Sequence, residues 1–209
     1  MTGKGLLRWG GISALCFVVL FTISIGAYGV TGGLAFRAWV PLFSSLVCFL
    51  VVATLAGYEY LAKSQYSLAR IGLGFAALAL VMLFLEAAVW GADRMVRRAE
   101  APAVAPELTH LLALFNSLHM MVLWFMGLWE ALWGAGFIRL SGRAKAVGVP
   151  LLLGAGFNGV DYLLARLGVA GAFVDYWHLG SQMMLLAAFT MLGLLLLRVA
   201  RENEGGVGV

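Results

Sequence analysis

A chain of 209 residues that is 63% hydrophobic and 11% charged, with a mean hydropathy of +0.96, cannot clothe a soluble surface, because a water-exposed domain carries about 25% charged residues. At roughly 20 residues per membrane crossing, six crossings consume nearly the whole length and leave no soluble catalytic module to be expected. The net charge of +4 sits at the ends of apolar runs, so no nucleic-acid partner is expected; those cations fix orientation and meet the headgroups of the lipid bilayer.

The first apolar run, 9–30, follows Lys4 and Arg8. A cleavable leader has an apolar core of about 7–15 residues, so this longer run predicts a retained helix. The second run, 39–61, is entered after Gly32-Gly33 and Arg37, and Lys63 and Arg70 bracket the polar connection that follows it. The third, 71–92, ends in Asp93-Arg94 and the basic pair Arg97-Arg98, ahead of a linker-like segment containing Pro102 and Pro106. Pro106 suits the first turn of a new helix, where a missing N–H costs nothing, and Glu107 favours the same start through the helix dipole. The apolar stretch 108–138 is too long for one untilted span; 117–138 is taken as the crossing and the preceding ten residues as interfacial. Arg139, Arg143 and Lys145 separate it from the fifth run, 146–167, and the sixth, 173–197, is closed by Arg198 and Arg201. The Gly/Glu-rich tail, 202–209, is expected to fray.

The expected fold is therefore all-α: one transmembrane domain, a polytopic bundle of about six helices with short loops. Cys16 and Cys48 lie inside apolar runs without paired spacing and read as small hydrophobes. Gly127, Ala131 and Ala135, and Gly154, Gly156 and Gly159, lighten the fourth and fifth helices, as close helix packing in lipid requires; the same small residues leave a homo-oligomer or a membrane-protein partner open. Orientation follows from counting cations. With the N-terminus inside, nine lie on inner segments and five on outer ones. That excess predicts cytoplasmic N- and C-termini in a bacterial inner membrane. Trp39, Trp90, Tyr28, Tyr162, Tyr176 and Trp177 then fall at outer ends, where amphipathic rings prefer to sit.

Polar residues inside the spans carry the functional question, since each ionisable group costs roughly 2.5–3.5 kcal/mol on insertion scales. Depth can be counted from the inner cation of each helix. His119 precedes Arg139, and His178 precedes Arg198, by 20 positions, which is about 30 Å and the outer interface. Glu86 follows Arg70, and Asp161 follows Lys145, by 16 positions, about 24 Å. Four ionisable groups from four helices thus share one layer about a helical turn thick. Asn116 lies three before His119, Asn158 three before Asp161, and Gln182 four after His178, so each pair shares a helix face. Glu130 lies deeper, between Trp129 and Trp133, and its simplest role is an interhelical hydrogen bond.

Several chemistries suit this layer. The residues form either a satisfied polar network that orients the bundle, as in a structural or partner subunit, or a ligand pocket made by Glu86, Asn116, His119, Asn158, Asp161, His178 and Gln182. In a pocket, His119 and His178 with Asp161 have the donor set for zinc with one position open to water. Histidines at equal depth on separate helices also meet the requirement for axial haem ligation in electron transfer, and an embedded carboxylate suits proton-coupled transport.

The segment order resembles a family of small six-helix bacterial membrane proteins known only as a domain of unknown function. The resemblance is carried by Leu7-Arg8-Trp9-Gly10-Gly11-Ile12-Ser13-Ala14, His119 with Gly127-Leu128-Trp129, Gly136-Phe137-Ile138-Arg139, Ser141-Gly142, Val147-Gly148-Val149, Gly154-Ala155-Gly156 and Asp161-Tyr162-Leu163, mainly within residues 110–200. It implies the six-helix fold and a membrane location and lends no catalytic residues.

Overall fold

Inside a bilayer no water is available to an unpaired backbone group, so each apolar run satisfies its N–H and C=O groups within itself as a helix. The computed structural model describes the backbone of residues 3–31, 36–98, 105–169 and 172–205, and the side chains of a narrower set, chiefly 5–24, 45–85, 116–169 and 177–202. Six helices follow in order: α1 (Gly3–Thr31), α2 (Phe36–Ala62), α3 (Tyr66–Arg98), α4 (Ala105–Ile138), α5 (Ala144–Arg166) and α6 (Ala172–Gly205). There is no strand among the described residues. Each helix contains a stretch long and apolar enough to cross a membrane, and the chain is a multi-pass membrane protein.

Six crossings return the chain to the side on which it starts. We call that end of the bundle the terminal end and the opposite one the far end. α3 and α4 have 33 and 34 residues, about 50 Å each, against a hydrocarbon core of about 30 Å. Both therefore exceed what one crossing requires. Pro106 falls in the first turn of α4, while the linker residues 99–104 lie outside the described residues. Over 202–205 the tail differs from expectation, while 206–209 lie outside the described residues. α6 continues through Gly205, because Arg198 donates to Glu202 one turn on and this i,i+4 pair supports the added turn.

Consecutive helices pack side by side and α6 returns onto α1, closing a ring. Towards the terminal end the ring is filled. The Trp133 indole donates to the Ala69 carbonyl at 3.2 Å and occupies the space left by Gly57 and Gly72, where a Cβ would collide with it. α4 and α5 approach so closely that a Cβ on Gly148 would stand 2.7 Å from the Gly134 carbonyl oxygen. The turn between them uses Gly142 at φ 63°, a left-handed conformation that glycine adopts without penalty. Towards the far end the helices part around a cavity of about 520 Å³ to which all six contribute.

Candidate functional site

The far-end halves of α4, α5 and α6 bring their polar faces to one point. On α5, Asn158 and Asp161 are three residues apart; on α6, His178, Ser181 and Gln182 share a face at i, i+3 and i+4. Asp161 Oδ2 lies 3.1 Å from His178 Nδ1, with Asp161 only 2% exposed. The rings of His119 and His178 have centroids 5.6 Å apart. One ligand atom each from His119, Asp161 and His178 lies within 4.8 Å of the other two. The Gln182 amide meets His178 Nε2 at 2.8 Å, so both nitrogens of that ring have protein partners.

A second polar chain runs deeper. Ser181 Oγ donates to Asn158 Oδ1 at 2.7 Å, and Asn158 Nδ2 donates to Glu130 Oε2 at 2.8 Å. Glu130 is fully buried, and its other oxygen has no hydrogen-bond partner among the described residues. Space for this carboxylate comes from Gly154, where a Cβ would stand 2.9 Å from Glu130 Oε2. The three bonded side chains tie α4, α5 and α6 together directly beneath the histidines.

Of the seven ligand candidates, His119, Asp161 and His178 converge, and Gln182 joins them through His178. Asn158 belongs to the deeper chain. Asn116 is exposed and faces a separate cleft, which it lines together with His119. The Glu86 side chain lies outside the described residues, although its backbone is helical in α3. Depth counting did not single out Ser181, whose signal was its place three residues after His178. Nor did it join Glu130 to Asn158. Glu130 stands nine residues before Arg139 and Asn158 thirteen after Lys145, a difference in depth of about 6 Å that the two side chains close by reaching toward each other.

Chemically the cluster offers two imidazole nitrogens and one carboxylate oxygen, the donor set of catalytic zinc with a fourth position open. Tetrahedral ligands at about 2.0–2.1 Å from zinc stand about 3.3 Å from one another; Asp161 and His178 are already at 3.1 Å. His119 completes the set by closing no more than about 1.5 Å from the 4.8 Å limit. Gln182 would orient His178 through the ring nitrogen that faces away from the metal, as outer partners of metal-bound histidines do. An axial bond from His178 to haem iron would instead displace Asp161 or Gln182.

Fold and site together define a multi-pass α-helical membrane protein with a two-histidine, one-carboxylate cluster at the end opposite its termini. No family model matches the chain, and no curated protein or solved structure matches it either.

Proposed function

We propose that this protein is a metalloenzyme of the bacterial inner membrane, with cytoplasmic termini, that binds zinc through His119, Asp161 and His178 at its outward end. One observation carries this: three residues from three separate helices bring ligand atoms within 4.8 Å of one another, the carboxylate among them almost wholly buried. A carboxylate withdrawn from water needs a compensating cation or dense hydrogen bonding, and a divalent ion shared with two histidines supplies the former. Bound zinc provides a hydroxide near neutral pH by acidifying its water. The excess of nine inner cations over five outer ones supports the orientation.

One observation favours a second class, a partner subunit whose polar network only orients its helices: both nitrogens of His178 are met by protein side chains, Asp161 and Gln182. Elemental analysis and an absorbance spectrum of detergent-purified protein separate the two. The metalloenzyme is expected to hold one zinc per chain, to show no haem absorbance, and to lose the metal in His119→Ala and in Asp161→Ala. Zinc-loaded wild-type protein that retains no more metal than these variants would overturn the proposal in favour of the subunit.

A further inference from the structure

We infer that the substrate is an acyl glycerolipid with a phosphate-bearing headgroup, drawn from the outer leaflet, whose ester is presented to the His119–Asp161–His178 cluster. The chemistry of this inference rests on the metal site proposed above; the binding does not. His119 lines two cavities at once, and among the described residues it is the one that their linings share.

The first is the axial cavity of about 520 Å³, within the range of small-molecule sites. Its walls are apolar, with Phe17, Phe21, Leu50, Leu80 and Met126 among them. Water finds few partners against such a surface, whereas a hydrocarbon chain finds contact along its whole length. Along α4 the lining runs from His119 to Trp129, ten residues or about 15 Å. The hydrocarbon core is about 30 Å thick, so a chain belonging to one leaflet spans half of it, which is the depth of this cavity. Among the described residues, α2 and α3 touch least of all consecutive helix pairs. Both line the cavity, and a chain enters from the bilayer between them.

The second is a cleft of about 660 Å³ between α4 and α5 at the far end, lined by Asn116, Tyr162 and Arg166 among others. Arg166 is exposed there and offers a guanidinium to a phosphate, with amide and phenol donors beside it. A glycerolipid is jointed in the same way. Its chain and its charged head meet at the ester, and His119 stands where the apolar cavity meets the polar cleft. Hydrolysis there needs only water. The hydroxide oxygen bonds to the acyl carbon, the ester C–O bond to glycerol breaks, and the water proton leaves on the glycerol oxygen, giving a fatty acid and a deacylated lipid.

The test uses purified full-length protein and an ether-linked lysophosphatidylglycerol, which binds without being cleaved, with bound lipid read by native mass spectrometry and zinc by elemental analysis. One lipid per chain is expected. Ala79→Trp, on the α3 wall of the cavity and away from the cluster, is expected to weaken binding at least about tenfold while zinc content stays unchanged. Leu83→Trp repeats the block on the same wall if Ala79→Trp is not monodisperse. Arg166→Gln is expected to weaken the phosphate-bearing lipid and not an ether-linked monoalkylglycerol that lacks the phosphate, and Asp161→Ala, at a position that lines neither cavity, to lose zinc while keeping the lipid. Wild-type affinity in both tryptophan variants overturns the lipid inference and leaves the metal site standing. Lipid binding with these sensitivities by wild-type protein that holds no zinc overturns the metal site alone.

Discussion

The two ends of this bundle are built from the same six helices and solve opposite problems. At the terminal end, glycines let backbones and a tryptophan approach until nothing more fits: Gly57 and Gly72 receive Trp133, and Gly148 lies against the Gly134 carbonyl. At the far end the helices part around the cavity of about 520 Å³, and Gly156, exposed on α5, meets nothing among the described residues within reach of a Cβ. Lipid tails are as apolar as the helices, so association in a bilayer depends on van der Waals fit and on buried hydrogen bonds. The close-packed end uses the first. The open end, having given up fit around its cavity, uses the second, in the chain from Ser181 through Asn158 to Glu130. Stability and binding are thereby assigned to different depths of one fold.

That division can be broken from either end. Gly148→Val puts a branched side chain where even a Cβ stands 2.7 Å from a carbonyl oxygen that cannot move aside. It is expected to cost about 3 kcal/mol in the unfolding free energy read from a detergent denaturation curve. Asn158→Leu is next. It leaves Ser181 and a Glu130 oxygen without their partners inside the protein and is expected to cost about 2 kcal/mol in the same measurement, whereas Asn158→Asp, which keeps the acceptor for Ser181, sets two carboxylates face to face and is not a milder change. Gln182→Leu removes only the amide that holds His178. It is expected to weaken zinc binding about tenfold in competition with a chelator, with little change in unfolding. The smallest effect belongs to Gly156→Ala, where the added methyl meets open space; its unfolding free energy should stay within about 0.5 kcal/mol of wild type. A Gly156→Ala effect as large as that of Gly148→Val would erase the contrast between glycines at a close helix contact and those on an open face.

Much of the architecture was legible because a bilayer tolerates few solutions. Apolar runs of spanning length bounded by cations, such as 71–92 between Arg70 and Arg94, can only be crossing helices. Depth was legible for the same reason: rise per residue is fixed, so His119 and His178, each 20 positions from a cation at the terminal end, had to lie level. The helical end of α6 was not, because Asn203 and Gly205 are weak helix formers and the Arg198–Glu202 pair adds the support that extends the helix.

What the sequence determined by itself was therefore a list of heights: which polar groups lie near one face of the membrane and which helices carry them. Azimuth was left to the tertiary structure. The rotation of each helix about its own axis decides whether a side chain points at lipid, at a neighbour or at the bundle axis, and packing sets that rotation. It turned Asp161 onto His178 and His119 toward both, while Asn116, on the same helix as His119, faced the outer cleft. It also joined Glu130 to Asn158 across a difference in height, because glycines at 154 and 148 brought α5 close to α4.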